Sequence, residues 1–126
     1  MPSIILNSKE KPSPNFIPPA TKKKEKICMI KIWVDDVRDV PAGYDIALKS
    51  TTDVIHYLKG YKPSTNIFLN LDHDAGDYAK LGGDYYKILD WCEAHGYNPV
   101  VHFHSMNPAG VEKMRQIAQH NHWEEI

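Results

Sequence analysis

Three short apolar runs constrain this chain more than anything else in it. They are "ICMIKIWVDD" (27–36), "NIFLNL" (66–71) and "PVVHFH" (99–104). Each is rich in β-branched and aromatic residues, and none keeps a strict apolar–polar alternation. Runs of this kind read as strands buried inside a covered, mostly parallel sheet. Two of them run straight into acids or histidines. The middle one is followed at once by "DHDAG" (72–76).

The segments between them carry helical spacing. "TTDVIHYLKG" (51–60) places Val54, Ile55 and Leu58 on one face, with Thr51 or Thr52 as N-cap and Gly60 as the stop. "DYYKILDWCEAH" (84–95) does the same with Tyr85, Ile88, Leu89 and Cys92, and Gly96 ends it. "GVEKMRQIAQHN" (110–121) turns Val111, Met114, Ile117 and Ala118 inward, and "HWEEI" reads as a terminal stub. "IALKS" (46–50) is a further short strand. Strands alternating with helices predict an α/β fold around a mostly parallel sheet. The loop "VRDVPAGYD" (37–45) is short for a parallel crossover with a helix. The second strand is therefore expected to return antiparallel or to hang on an edge, with no first crossover helix.

Charge divides the chain in two. Residues 1–26 hold six Lys and two Glu, a net +4, and residues 27–126 hold nine Lys plus Arg and fourteen Asp plus Glu, a net −5. Four of the nine prolines lie in "KPSPNFIPPATKKKEK" (11–26). The expected organisation is a flexible basic Pro/Lys-rich tail over 1–26 and one α/β domain over 27–126. An acidic body offers no basic face to duplex DNA. No apolar run reaches the ~20 residues of a membrane helix, and the start lacks a secretory pattern. Cys28 and Cys92 read as free core thiols in a reducing, cytoplasmic setting.

In an open α/β sheet the ligand crevice lies beyond the carboxyl ends of the strands. Parallel neighbours would bring Asp35 and Asp36, then Asp72, His73 and Asp74, then His102, His104 and Ser105 to one edge. Strand alternation puts His102 and His104 on one face, with His102 deeper. Asn107 suits a helix cap, Asp74 suits a turn, and Gly110 would leave backbone N–H groups open to an anion. Three chemistries fit. A divalent ion such as Mg2+ could sit on Asp35 or Asp36 with Asp72. His73 and His104 could exchange protons near neutrality. Arg38 could clamp a phosphate. The number of histidines favours acid–base work.

"WVDDVRDVPAGY", "LDHDAGD", "LDWCEAHG" and "VHFHSMNPAGVEKM" together resemble the cyclic-phosphate processing receiver family, a bacterial and phage group, over roughly 33–117. The resemblance implies a receiver-like (flavodoxin-like) three-layer sandwich of four to five strands. It implies a site of Asp35, Asp36, Arg38, Asp72, His73, Asp74, His104, Ser105 and Asn107. Ala75 departs from the usual Leu, and Asn70 interrupts an apolar strand. The expected activity is a phosphoesterase acting on a cyclic nucleotide or RNA end. His73 and His104 would be acid and base, Asp72 or Asp36 would orient an imidazole, and Arg38, Ser105, Asn107 and His102 would hold substrate. The alternatives are a phosphate-binding module without turnover and a phosphoacceptor receiver with Asp72 as acceptor. The latter needs a Lys after a fifth strand, for which "HWEEI" leaves no room.

Overall fold

The computed structural model describes residues 29–126. The expected tail over 1–26 and the thiol of Cys28 lie outside the described residues. Four strands form one all-parallel sheet: β1 (Ile30–Val34), β2 (Ile46–Leu48), β3 (Ile67–Leu71) and β4 (Val100–Phe103), in the order β2-β1-β3-β4. Three helices connect or follow them: α1 (Thr51–Leu58), α2 (Tyr86–His95) and α3 (Pro108–His120). A 3-10 turn spans Gly76–Lys80, within the stretch expected to be plain loop.

The strands step in one direction from β2 across β1 to β3 and β4, and right-handed crossovers then place α1 and α2 on the same face. Val54 and Leu58 of α1, Ile88, Leu89 and Cys92 of α2, and Met114 and Ala118 of α3 are buried there. They join Ile32, Val34, Leu69, Leu71 and Val101 of the sheet in one core. The sheet thus carries a single helix layer among the described residues. The β1–β2 crossover, which could have covered the opposite face with a helix, carries none.

The loop 35–45 takes its place. β2 is not antiparallel: it pairs parallel with β1, Ile32 opposite Ile46 and Val34 opposite Leu48, and it hangs on the edge, the second of the two expected arrangements. Chain reach explains this. A five-residue strand spans about 17 Å, and the eleven loop residues could extend to about 36 Å. The loop can return to the amino end without helical slack. It passes over Trp33, whose indole Nε1–H donates to the Arg38 carbonyl at 3.4 Å. The Tyr44 ring meets Trp33 edge-on at 5.5 Å and lies 6.2 Å from Phe68. Asp45 closes the loop, donating its N–H to the Lys31 carbonyl and accepting the Lys31 N–H.

Helix ends follow local chemistry. α1 is capped by buried Ser50, one residue before the expected threonines, whose hydroxyl oxygen accepts from Asp53 N at 3.0 Å. Gly96 ends α2 at φ +77°. The last residues are more than a stub. Trp123 is buried, and its Nε1–H donates to Asn98 Oδ1 at 3.0 Å. Val101 N donates to the Glu124 carbonyl and Ile126 N to the Val101 carbonyl, so this segment lies along the free side of β4.

Candidate active site at the strand ends

Register brings the three strand ends into one row. Val34 is opposite Leu71, and Leu71 is opposite Phe103. Asp72 N then donates to the Val34 carbonyl and His104 N to the Leu71 carbonyl, both at 3.0 Å. Asp35, Asp72 and His104 therefore occupy the next row, on adjacent strands.

Asp35 is the hub. Its side chain is fully buried, and Oδ1 accepts the backbone N–H groups of Val37 and Arg38, both at 2.9 Å. This is the local turn that an Asp forms with the two or three residues after it. Oδ2 accepts from Arg38 Nη1 at 3.2 Å and faces His104 Nε2 at 2.8 Å. Burial pushes the Asp35 carboxyl up, but these donors, led by the Arg38 and Val37 amides and then His104, outweigh it and hold it below the ordinary value. Asp36 moves the other way. Burial, aided by the Asp35 and Asp72 charges, raises it against the pull of its own backbone N–H and of Lys49.

His104 is locked. Its Nδ1 lies 2.6 Å from Asn70 Oδ1, and Asn70 Nδ2 donates to the Tyr44 hydroxyl at 2.6 Å. Its ring stacks on Trp33, centroids 4.2 Å apart and planes 3° off parallel. Both ring nitrogens face protein groups. Asn70, which interrupts the apolar run of β3, is the partner of this histidine.

His73 is arranged differently. Nδ1 lies 2.7 Å from Asp74 Oδ1, and the ring is near-parallel to Tyr86 at 6.1 Å. No protein group is bonded to Nε2 among the described residues, and the side chain is 12% exposed. Asn107 Nδ2 stands 3.4 Å from Asp74 Oδ2 and 3.5 Å from His73 Nδ1. Asn107 also caps α3, its Oδ1 accepting from Gly110 N at 3.0 Å. Gly110 N is thus occupied, which corrects the expectation that it faces an anion. Gly110 instead lets the His73 ring lie against the helix, where a Cβ would overlap its Cγ. Lys113 Nζ sits 3.7 Å above the Tyr86 ring.

Asp72 joins the two groups. Its Oδ1 accepts the His73 amide at 2.7 Å, and its Oδ2 is 3.9 Å from Arg38 Nη1. Asp35, Asp36 and Asp72 each bring an oxygen within 4.8 Å of one another, and so do a ring nitrogen of His73 and oxygens of Asp74 and Asp84. Asp36 and Asp72 form an oxygen-only pair that fits a hard divalent cation, whereas both Asp35 oxygens are already engaged.

Two of the expected residues stand apart from these networks. His102 lies in the row of Trp33 and Asn70, and its Nδ1 is 2.7 Å from the Ile126 carbonyl. Ser105 Oγ accepts from Asn107 N at 3.0 Å and so shapes its own turn. Sequence reasoning gave Trp33, Tyr44 and Asp84 no part. Only Asn70 carried a signal, a polar residue in an apolar strand.

The sequence profile described as the cyclic-phosphate processing receiver domain matches residues 30–120. Comparison with curated proteins and with solved structures gives no match. The matched span holds all four strands, all three helices and every residue of both side-chain networks, and the chain belongs to the cyclic-phosphate processing receiver domain family.

Proposed function

We propose that this chain is a phosphoesterase that opens a cyclic phosphate on a nucleotide or an RNA end, with His73 as the proton-transferring group. The observation that carries the reading is the His73–Asp74 pair, with Nδ1 held by a carboxylate and Nε2 unbonded among the described residues. An ionised Asp74 can only accept, so Nδ1 carries the hydrogen and Nε2 presents a lone pair. Nε2 takes a proton from water as the water oxygen bonds to phosphorus. The bond from phosphorus to one ribose oxygen breaks, and that oxygen is protonated from solvent. Arg38, aimed by Asp35, holds the non-bridging oxygens. Asp36 and Asp72 would hold a divalent ion, which supplies charge neutralisation at those oxygens. His104, with both nitrogens engaged, supports Asp35 and transfers no proton. The same reading takes a small phosphate-bearing ligand as partner and the cytoplasm as location, where a free buried Cys92 thiol is stable.

The test is turnover of 2′,3′-cyclic and 3′,5′-cyclic nucleotides. His73→Ala is expected to lower kcat by about 10²–10⁴-fold, and Asp74→Asn by less. Ligand binding without turnover in wild type would replace this reading with a phosphate-binding module. The three clustered carboxylates favour one second reading, in which Asp72 accepts a phosphoryl group. Stable labelling of Asp72 by acetyl phosphate would establish it.

A further inference from the structure

We infer that Tyr44 and Asn70 are positioning residues. They fix the His104 ring so that its Nε2–H is bonded to Asp35, and through Asp35 they aim the Arg38 guanidinium. Five side chains form one continuous line: Tyr44 hydroxyl to Asn70 amide at 2.6 Å, Asn70 to His104 Nδ1 at 2.6 Å, His104 Nε2 to Asp35 at 2.8 Å, Asp35 to Arg38 at 3.2 Å.

The line has a direction that chemistry dictates. The Asp35 carboxylate can only accept, so Nε2 carries a hydrogen. Asn70 bonds the other side of the ring through Oδ1 and donates its N–H to Tyr44, so both ring nitrogens are held. Trp33 lies flat against the ring and opposes its rotation out of this arrangement. A leucine would serve better at position 70 for packing alone. The buried amide costs desolvation, which its two short hydrogen bonds offset. The polar residue in β3 is thus explained by His104. The same reasoning explains why the phenol that completes the line stands on the loop that also carries Arg38.

The inference rests on the proposed function only in giving Arg38 a phosphate to hold. Its experiment reads the His104 ring and the binding of inorganic phosphate, neither of which needs turnover. Histidine-ring nitrogen NMR of the full chain is expected to show a hydrogen on His104 Nε2. Asn70→Leu is expected to free the ring, broadening the Nε2–H signal, and to weaken phosphate binding on the order of tenfold. Asn70→Asp, which still presents an oxygen to Nδ1, is expected to restore both. Should leucine at 70 unfold the chain, Tyr44→Phe carries the test, with a smaller loss of phosphate affinity and a broadened His104 signal. A wild-type His104 without a hydrogen on Nε2 would overturn the inference, and so would phosphate affinity unchanged in a folded Asn70→Leu or, where that chain unfolds, in Tyr44→Phe. A wild-type chain that binds phosphate and turns over nothing would sink the phosphoesterase reading and leave this one standing.

Discussion

Gly110 shows how one missing methyl group can shape a site. It is the third residue of α3, where alanine would ordinarily favour the helix by about 1 kcal/mol. Here a Cβ would run into the His73 ring. Gly110→Ala is therefore expected to destabilise the fold by about 1–3 kcal/mol, the usual range for overpacking, and to displace His73. Thermal unfolding and cyclic-nucleotide turnover measured together check this, and the loss of turnover is expected to exceed what the lowered stability explains. Asp36 gives a second outcome at this scale. Its folded-state pKa lies above the ordinary 3.8, so ionising it costs stability that grows as pH rises past 3.8 and is complete above the raised value. Asp36→Asn is expected to stabilise the protein at pH 7 by a few tenths to about 1 kcal/mol, discounted for solvent screening. The gain is expected to disappear as pH falls below 3.8, where Asp36 is neutral in both states. Denaturant titrations at the two pH values check the sign, and added Mg2+ is expected to stabilise wild type more than the variant. Asp35 works in the opposite sense. Its depressed pKa contributes stability above 3.8 that is lost as pH falls through the folded value.

At the scale of elements, the start of α3 does two jobs through one side chain. Asn107 caps the helix and also reaches Asp74 and His73. Asn107→Ala is expected to cost about 1 kcal/mol, the ordinary worth of a cap. Asn107→Ser is expected to recover most of that stability without recovering activity, because a serine hydroxyl can cap but cannot span to Asp74. Chemical denaturation beside steady-state kinetics separates the two roles. The sequence made the strands legible because β-branched runs are unambiguous, and it made α2 legible because Gly96 is a clear stop. It left the cap of α1 one residue out, since Ser50, Thr51 and Thr52 are all competent caps and only the chain path chooses among them. The convergence of three strand ends could be reasoned from parallel pairing. The different bonding of the two histidines could not. That of His104 depends on Asn70 and Tyr44, 26 residues apart and joined only by the fold.

The described residues share one core, and Cys92 reports on it. Burial raises its thiol to about 12, and 1% of the residue is exposed. Its alkylation at pH 8 is expected to follow global unfolding, so that its rate rises with denaturant in step with loss of structure. Peptide mapping by mass spectrometry distinguishes it from Cys28. Alkylation of Cys92 under native conditions at the rate of an exposed thiol would show that α2 opens independently of the sheet. The described residues hold no helix long and apolar enough to cross a membrane. The sheet face opposite the helices also explains a mismatch with the sequence. The run that forms β1 looks covered on both sides, and it is, but by an aromatic loop on one of them.

That loop has an evolutionary consequence. In most α/β proteins the crossover is scaffold, the turns above it carry function, and the two can vary separately. Here residues 35–45 are scaffold and candidate site at once: they hold Asp35, Asp36 and Arg38, shield Trp33, and deliver Tyr44 to Asn70. Insertions that an ordinary surface loop would absorb would here shift anchor and candidate-site groups together. A library randomised across this stretch is expected to yield few folded members, and new specificities would be sought more profitably around Met106, which is exposed and carries no part of the sheet.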